Sequence, residues 1–175
     1  MSTNKYQMFS DEMIQKLLNE AIGIQKGEGE KMKTIVEIKK EYLEYSAEQA
    51  EKCKKQIQVL KLDDKEDEAN LEKVKLNIYG IFESLINASA NKFLYQKNMG
   101  AEDKTVGFCQ DFLDYFDKIP ESWRINYEKA KEYNDVTQCV IEENKLSVAE
   151  HLKNHFTDIM KQLYQGAKVP ESRLL

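Results

Sequence analysis

The sequence is poor in the residues that interrupt helices and in those that staple small folds: two prolines, seven glycines and three cysteines among 175 residues. So few breakers exclude collagen-like and loop-dominated folds. Cys53, Cys109 and Cys139 are an odd number at wide spacing with no Cys-x-x-Cys pair, which excludes a disulfide framework and a structural zinc knot. All three fall in apolar helical register, where a free thiol behaves as a small hydrophobe, and a reducing compartment fits them best. No window approaches 18 uninterrupted apolar residues, so no span of a bilayer is expected. The first ten residues lack the apolar centre of a signal peptide and the arginine-rich pattern of a transit peptide, and cytoplasmic residence is the expectation. A basic surplus is missing as well: 26 Lys and Arg stand against 31 Asp and Glu, a net charge of -5. Nucleic acid is therefore not an expected partner, since binding it takes cations that displace counterions from phosphates. The run Lys52-Cys53-Lys54-Lys55 has acidic residues within one or two helical turns and reads as a solvated helix face.

What remains is a chain that is 41% hydrophobic, with the apolar residues at helical spacing, which excludes wholesale disorder. The length suits one domain with a sizeable core. The expected fold is all-α: an antiparallel bundle of about three long helices plus one or two short ones over 10–165, flanked by tails at 1–9 and 166–175. Ser10 with Asp11 and Glu12 reads as a helix start, and Met13 to Ile22 as its apolar face. Lys26 to Glu30, with two glycines, reads as its stop and hinge; with no preceding strand and no Gly-Lys-Ser/Thr, it is not a phosphate loop. A long helix is expected from Lys31 to Leu62 on the heptad line Val36, Leu43, Ala50, Ile57, beside Ile35, Tyr42, Cys53 and Leu60, with Lys39 and Ser46 as flaws. A turn at Asp63-Asp64-Lys65 leads to a second helix, carried by Leu71, Val74, Ile78, Ile81, Leu85 and Ala88 to about Lys97. Residues 100–104 read as a loop, 106–116 as a short helix, and Pro120 as its stop or the first turn of the next. The stretch 121–165 has neither Gly nor Pro; a kink near 134–137 or a break near 144–147, where Ser147 and Glu150 form a capping box, is expected there. Gly166 then caps the end, and no repeat shows at periods of 20–50 residues, which argues against a solenoid.

Three constellations bear on chemistry. His151 and His155, four apart, share a helix face as in a helical metal site; Leu152 stands where a zincin needs its glutamate, so that reading fails. With a third ligand such as Cys139 the pair would hold a metal; otherwise His155, in the apolar seam, is a core histidine. Neither histidine has a glutamate three residues before it, which sets aside di-iron carboxylate chemistry. Asp111, Asp114 and Asp117, three apart, resemble the aspartate-rich helix with which isoprenoid synthases hold Mg²⁺ against a diphosphate, and Asn134-Asp135 to Glu142 is similar to their second motif. Gln138 replaces the hydroxyl residue of that motif, and the competing reading is an amphipathic helix with its aspartates outward. No G-x-S-x-G, Walker loop or dinucleotide fingerprint is present.

The expectation that follows is a non-enzymatic interaction or scaffold protein without cofactor, binding protein partners or its own copies through long helix faces. Tyr42, Tyr45, Phe82 and Phe93 are its candidate anchors. A plan of three long antiparallel helices also resembles BAR-type curvature dimers, with the lysine-rich 31–61 stretch as a lipid-facing strip, although net charge opposes it. A small metal-dependent enzyme built on Asp111 and Asp114, or on His151 and His155, is the third reading.

Overall fold

The computed structural model describes residues 31–165. The expected helix after Ser10, the 26–30 hinge, the Gly166 cap and the two tails lie outside the described residues.

Thr34 is extended and its hydroxyl accepts from the Glu37 backbone N–H at 3.2 Å, while the Glu37 carboxylate accepts from the Thr34 N–H at 2.7 Å. This capping box satisfies two orphan donors and starts α1 at Ile35, running to Leu62. The expected start at Lys31 is thus four residues early. Lys31–Met32 instead forms β1, which pairs antiparallel with β2 at Tyr164–Gln165. Helix α2, Glu66–Leu94, opens on Glu66, Asp67 and Glu68, whose charges favour the positive end of the helix dipole. It ends at Leu94 rather than near Lys97.

The next helix differs most from expectation. Gly100 is its N-cap, and α3 runs unbroken from Ala101 to Glu132 with Pro120 inside it. Residues 101–104 are therefore helix, not loop, and Pro120 neither stops nor starts an element. Proline removes one N–H and crowds the carbonyl of the preceding turn. Here the guanidinium of Arg124 donates to the Asp117 carbonyl at 3.0 Å. Buried Phe116 and Trp123, on either side of Pro120, hold both halves of the helix against the core. The chain then breaks at 133–135 and α4 spans Val136–Lys161, with the Asp135 carboxylate accepting from the Gln138 N–H at 3.0 Å. Ser147 and Glu150 lie inside α4 and cap nothing. The expected all-α bundle is present: among the described residues it has four helices, of 28, 29, 32 and 26 residues and about 39–48 Å long, with one long helix over 101–132 in place of the expected loop, short helix and stop at Pro120.

The four helices form two similar hairpins, related by an offset of 70 residues. Asp64 and Asn134, 70 residues apart, are the two non-glycine residues with positive φ among the described residues, at 56° and 53°. Each terminates its helix in the same Schellman pattern. Lys65 N–H donates to the Leu60 carbonyl at 2.9 Å, and Asp135 N–H to the Ala130 carbonyl at 2.8 Å. The same offset relates Glu41-Tyr-Leu-Glu-Tyr45 to Asp111-Phe-Leu-Asp-Tyr115. It also relates the ion pair Glu72–Lys75, 2.7 Å, to Glu142–Lys145, 3.0 Å. Burial follows suit: Ile38 with Phe108, Tyr42 with Phe112, Cys53 with Trp123, Phe82 with Leu152 and Ile86 with Phe156 are all core residues. The expectation of no repeat concerned periods of 20–50 residues; this one is longer. Within each hairpin the helices pack closely, α2 packs on α3 as α4 does on α1, and α2 meets α4 across the middle. That neighbour pattern is an approximate two-fold arrangement.

The core is aromatic. Phe156 is edge-on to Tyr42, Phe108 and Phe112 at centroid distances of 5.9, 6.4 and 4.8 Å, and Phe82 stacks on Phe116 at 4.5 Å. Such pairs contribute about 0.5–1.5 kcal/mol each beyond the area they bury. Both hairpin turns lie at one end of the bundle; the β1–β2 pair and the 95–100 connection lie at the other.

Candidate functional site

Each carboxylate of the acidic row on α3 is engaged by a neighbouring lysine. Asp111 accepts from the Ser89 hydroxyl at 2.7 Å and pairs with Lys92. Asp114 pairs with Lys118 at 3.7 Å and Asp117 with Lys153 at 2.9 Å. Burial raises the Asp111 pKa, but Lys92 and Ser89 together hold it below the usual carboxylate value. Asp111 and Asp114 are the repeat partners of Glu41 and Glu44, an acidic helix face written twice. The residues of the supposed second motif are structural too. Asn134 supplies the left-handed turn, Asp135 caps α4, and buried Glu142 accepts from Lys145 at 3.0 Å and Gln138 at 2.6 Å. Among the described residues, no group of three or more His, Cys, Asp or Glu is placed to hold a metal ion.

His151 and His155 do share a face of α4, turned toward α1. The His155 ring lies flat on Tyr45, with centroids 3.7 Å apart and planes 15° from parallel. Its Nε2 is buried without a hydrogen-bond partner, as are Asn154 Oδ1 and the Tyr42 hydroxyl. Burial lowers the His155 pKa against the opposing pull of Asp158 and Glu41. His151 is exposed and reaches a cleft of about 320 Å³ between α1, α2 and α4. Lys52, Cys53, Glu72 and Lys75 line the same cleft. Lys52 pairs with Glu48 at 2.8 Å, and the Cys53 thiol is pushed up to about 11 by burial and by its hydrogen bond to Glu72. The sequence places Lys52 in a run that reads as a solvated face and singles out neither Glu72 nor Lys75. The available signal was the Glu-x-x-Lys-Leu motif that occurs twice.

Of the four candidate interface anchors, Tyr42 and Phe82 are wholly buried in this chain's own core, so neither is a surface anchor. Tyr45 is half-buried under His155, and half-buried Phe93 is seated where a side chain on Gly107 would have to stand. The bulky apolar residues left in solvent are elsewhere. Leu62 is 86% exposed at the first hairpin turn; Tyr133 and Val136 are 82% and 72% exposed at the second. Beside the second turn, Asn126, Lys129, Tyr133 and Gln138 line a cleft of about 400 Å³. Tyr95, 80% exposed, stands at the opposite end.

The class these features define is a four-helix bundle built from a repeated helical hairpin. No protein-family model, no curated protein and no solved structure matches the chain. Among the described residues, no helix is long and apolar enough to cross a membrane.

Proposed function

We propose that this protein is a non-enzymatic interaction module, a stiff bundle that docks a partner protein on its turn end. One observation carries the reading: Leu62, Tyr133 and Val136, from two separate turns, expose large apolar side chains at the same end of the bundle. Apolar groups grouped on a surface mark contact sites, and tyrosine is enriched among residues that dominate binding. Val59, half exposed one turn before Leu62, widens the patch. Lys129 and Asp135 beside it supply the polar rim that such contacts have.

A photo-crosslinking amino acid in place of Tyr133, in cells of the protein's source, tests this. The expected result is a discrete adduct with another protein. It should vanish in a Leu62→Asp/Val136→Asp background whose circular dichroism is unchanged, and should not form from a crosslinker at Lys118, exposed midway along α3. No adduct, or one indifferent to the two aspartates, would overturn the reading.

A further inference from the structure

The repeat gives each seam between hairpins a counterpart in the same molecule, and the two seams have diverged. Phe116 of α3 stacks on Phe82 of α2, and its counterpart on α1 is Ser46; Gln49 and Cys53 line the cleft where the other hairpin has Ile119 and Trp123. On the facing helices, half-buried Leu85 corresponds to His155, which stacks on Tyr45, and Ile81, 39% exposed, corresponds to His151. The α2/α3 seam has Phe82 stacked on Phe116 along its middle, with the Ser89 and Lys92 contacts to Asp111 nearer the end of α2. The α1/α4 seam is polar, makes fewer contacts, holds both histidines, and opens into the 320 Å³ cleft. Trp123, buried, fills the place that in the first hairpin has only the Cys53 thiol. A seam with Ser, Gln and Cys where the other has Phe116, Ile119 and Trp123 forgoes burial worth roughly 2 kcal/mol per large side chain, and it leaves a cleft that a ligand can enter.

The lining identifies the occupant's chemistry. Lys52, Lys75, His151 and Ser147 place donors around the opening. Lys75 is paired with Glu72, which also accepts from the Cys53 thiol, and Lys52 with Glu48, so an entering anion exchanges with these two carboxylates for the lysines. Tyr79 and Val148 give the wall an apolar surface. The volume stands at the small end of ligand sites, about 300–1,000 Å³. We propose that the α1/α4 seam is a binding site for a small organic anion, a carboxylate or phosphate monoester. Its charged group is met by Lys52, Lys75 and His151, and its body rests on Tyr79 and Val148. Small-molecule recognition here is independent of protein docking at the turn end, because the cleft is formed by the middle of the helices.

Amide chemical shifts of the ¹⁵N-labelled full chain, followed while inorganic phosphate or succinate replaces chloride at constant ionic strength, test the site. The expected result is saturable shifts confined to residues 49–56, 72–79 and 147–151, with whichever anion saturates naming the head group. Lys52→Gln and Lys75→Gln should each weaken that binding about tenfold or more, the loss expected for one charge-assisted hydrogen bond. A second variant copies the closed seam into the open one: Gln49→Ile, Cys53→Trp, Tyr79→Ala and His151→Ile, each taken from its repeat partner. It should keep its helicity and lose the saturable shifts. Shifts that grow linearly with either anion, shifts spread over all exposed lysines, or a copied seam that binds as well as the original would overturn the proposal. The single lysine variants decide the matter if the copied seam does not fold.

Discussion

Tyr42 shows what one residue's repeat partner reveals. Its ring packs edge-on against Phe112 and Phe156, yet its hydroxyl is buried with no partner, and burial raises its pKa far above the ordinary value. The second hairpin has Phe112 in the same place. An unpaired buried hydroxyl costs about 1–3 kcal/mol, so Tyr42→Phe is expected to stabilise the bundle by about 1 kcal/mol. Thermal melts should show a midpoint about 2–4 °C higher; a fall would mean that the hydroxyl has a partner. At this scale the sequence was legible in kind more than in placement. Val36 heads the heptad line read from the sequence but is 56% exposed, whereas Ser46, read as a flaw, is buried at 2%. The 3.6-residue period specifies a stripe; which edge of it turns inward depends on partner helices. Ser46 can lie in the core because its repeat partner Phe116 supplies bulk elsewhere.

The helices themselves were largely legible, and their ends less so. The turn at Asp63-Asp64-Lys65 and the poor helix interior at Asn134-Asp135 both mark real breaks, because a left-handed residue can close a helix there. Pro120 misled, since a local rule about proline cannot weigh the packing on either side of it. The first hairpin has Ala50 in the corresponding place within an unbroken α1. Pro120→Ala restores a backbone donor and is expected to stabilise α3. The interior-proline penalty is about 3 kcal/mol, and part of that gain is lost with the buried ring, leaving a net of about 1–2 kcal/mol. Urea denaturation would read it, with an unchanged slope showing that the fold is the same. A loss of stability would mean that the ring's packing outweighs the missing hydrogen bond.

Across the whole molecule, the likeness of the two hairpins was hidden because few of the paired residues match in type, the correspondence lying in burial and turn geometry, and because its period is 70 residues. The site was hidden with it, since Gln49, Cys53 and His151 become conspicuous only beside the apolar residues that replace them in the other seam. The same asymmetry makes the α1/α4 seam sensitive to acid. Burial lowers the pKa of His155, so the folded state prefers the neutral ring and the unfolded chain takes up the proton first. Stability is therefore full above the ordinary histidine value of 6.5 and is lost as pH falls through it toward the lower folded value. Between pH 7.5 and 5.5 the melting midpoint should fall. His155→Leu, which copies Leu85, should flatten that slope; an equally steep slope in the variant would assign it to another group.

The small ladder between Lys31–Met32 and Tyr164–Gln165 has a mechanical consequence. It clasps the beginning of the first hairpin to the end of the second, so tension applied at residues 31 and 165 meets this clasp before it reaches any helix. Two paired residues pulled apart at adjacent ends open like a zipper, one bond at a time, and then the α1/α4 seam is the next to part. Its packing is the thinner of the two, so a stretched chain would come apart through the cleft while the aromatic seam on the other side still held.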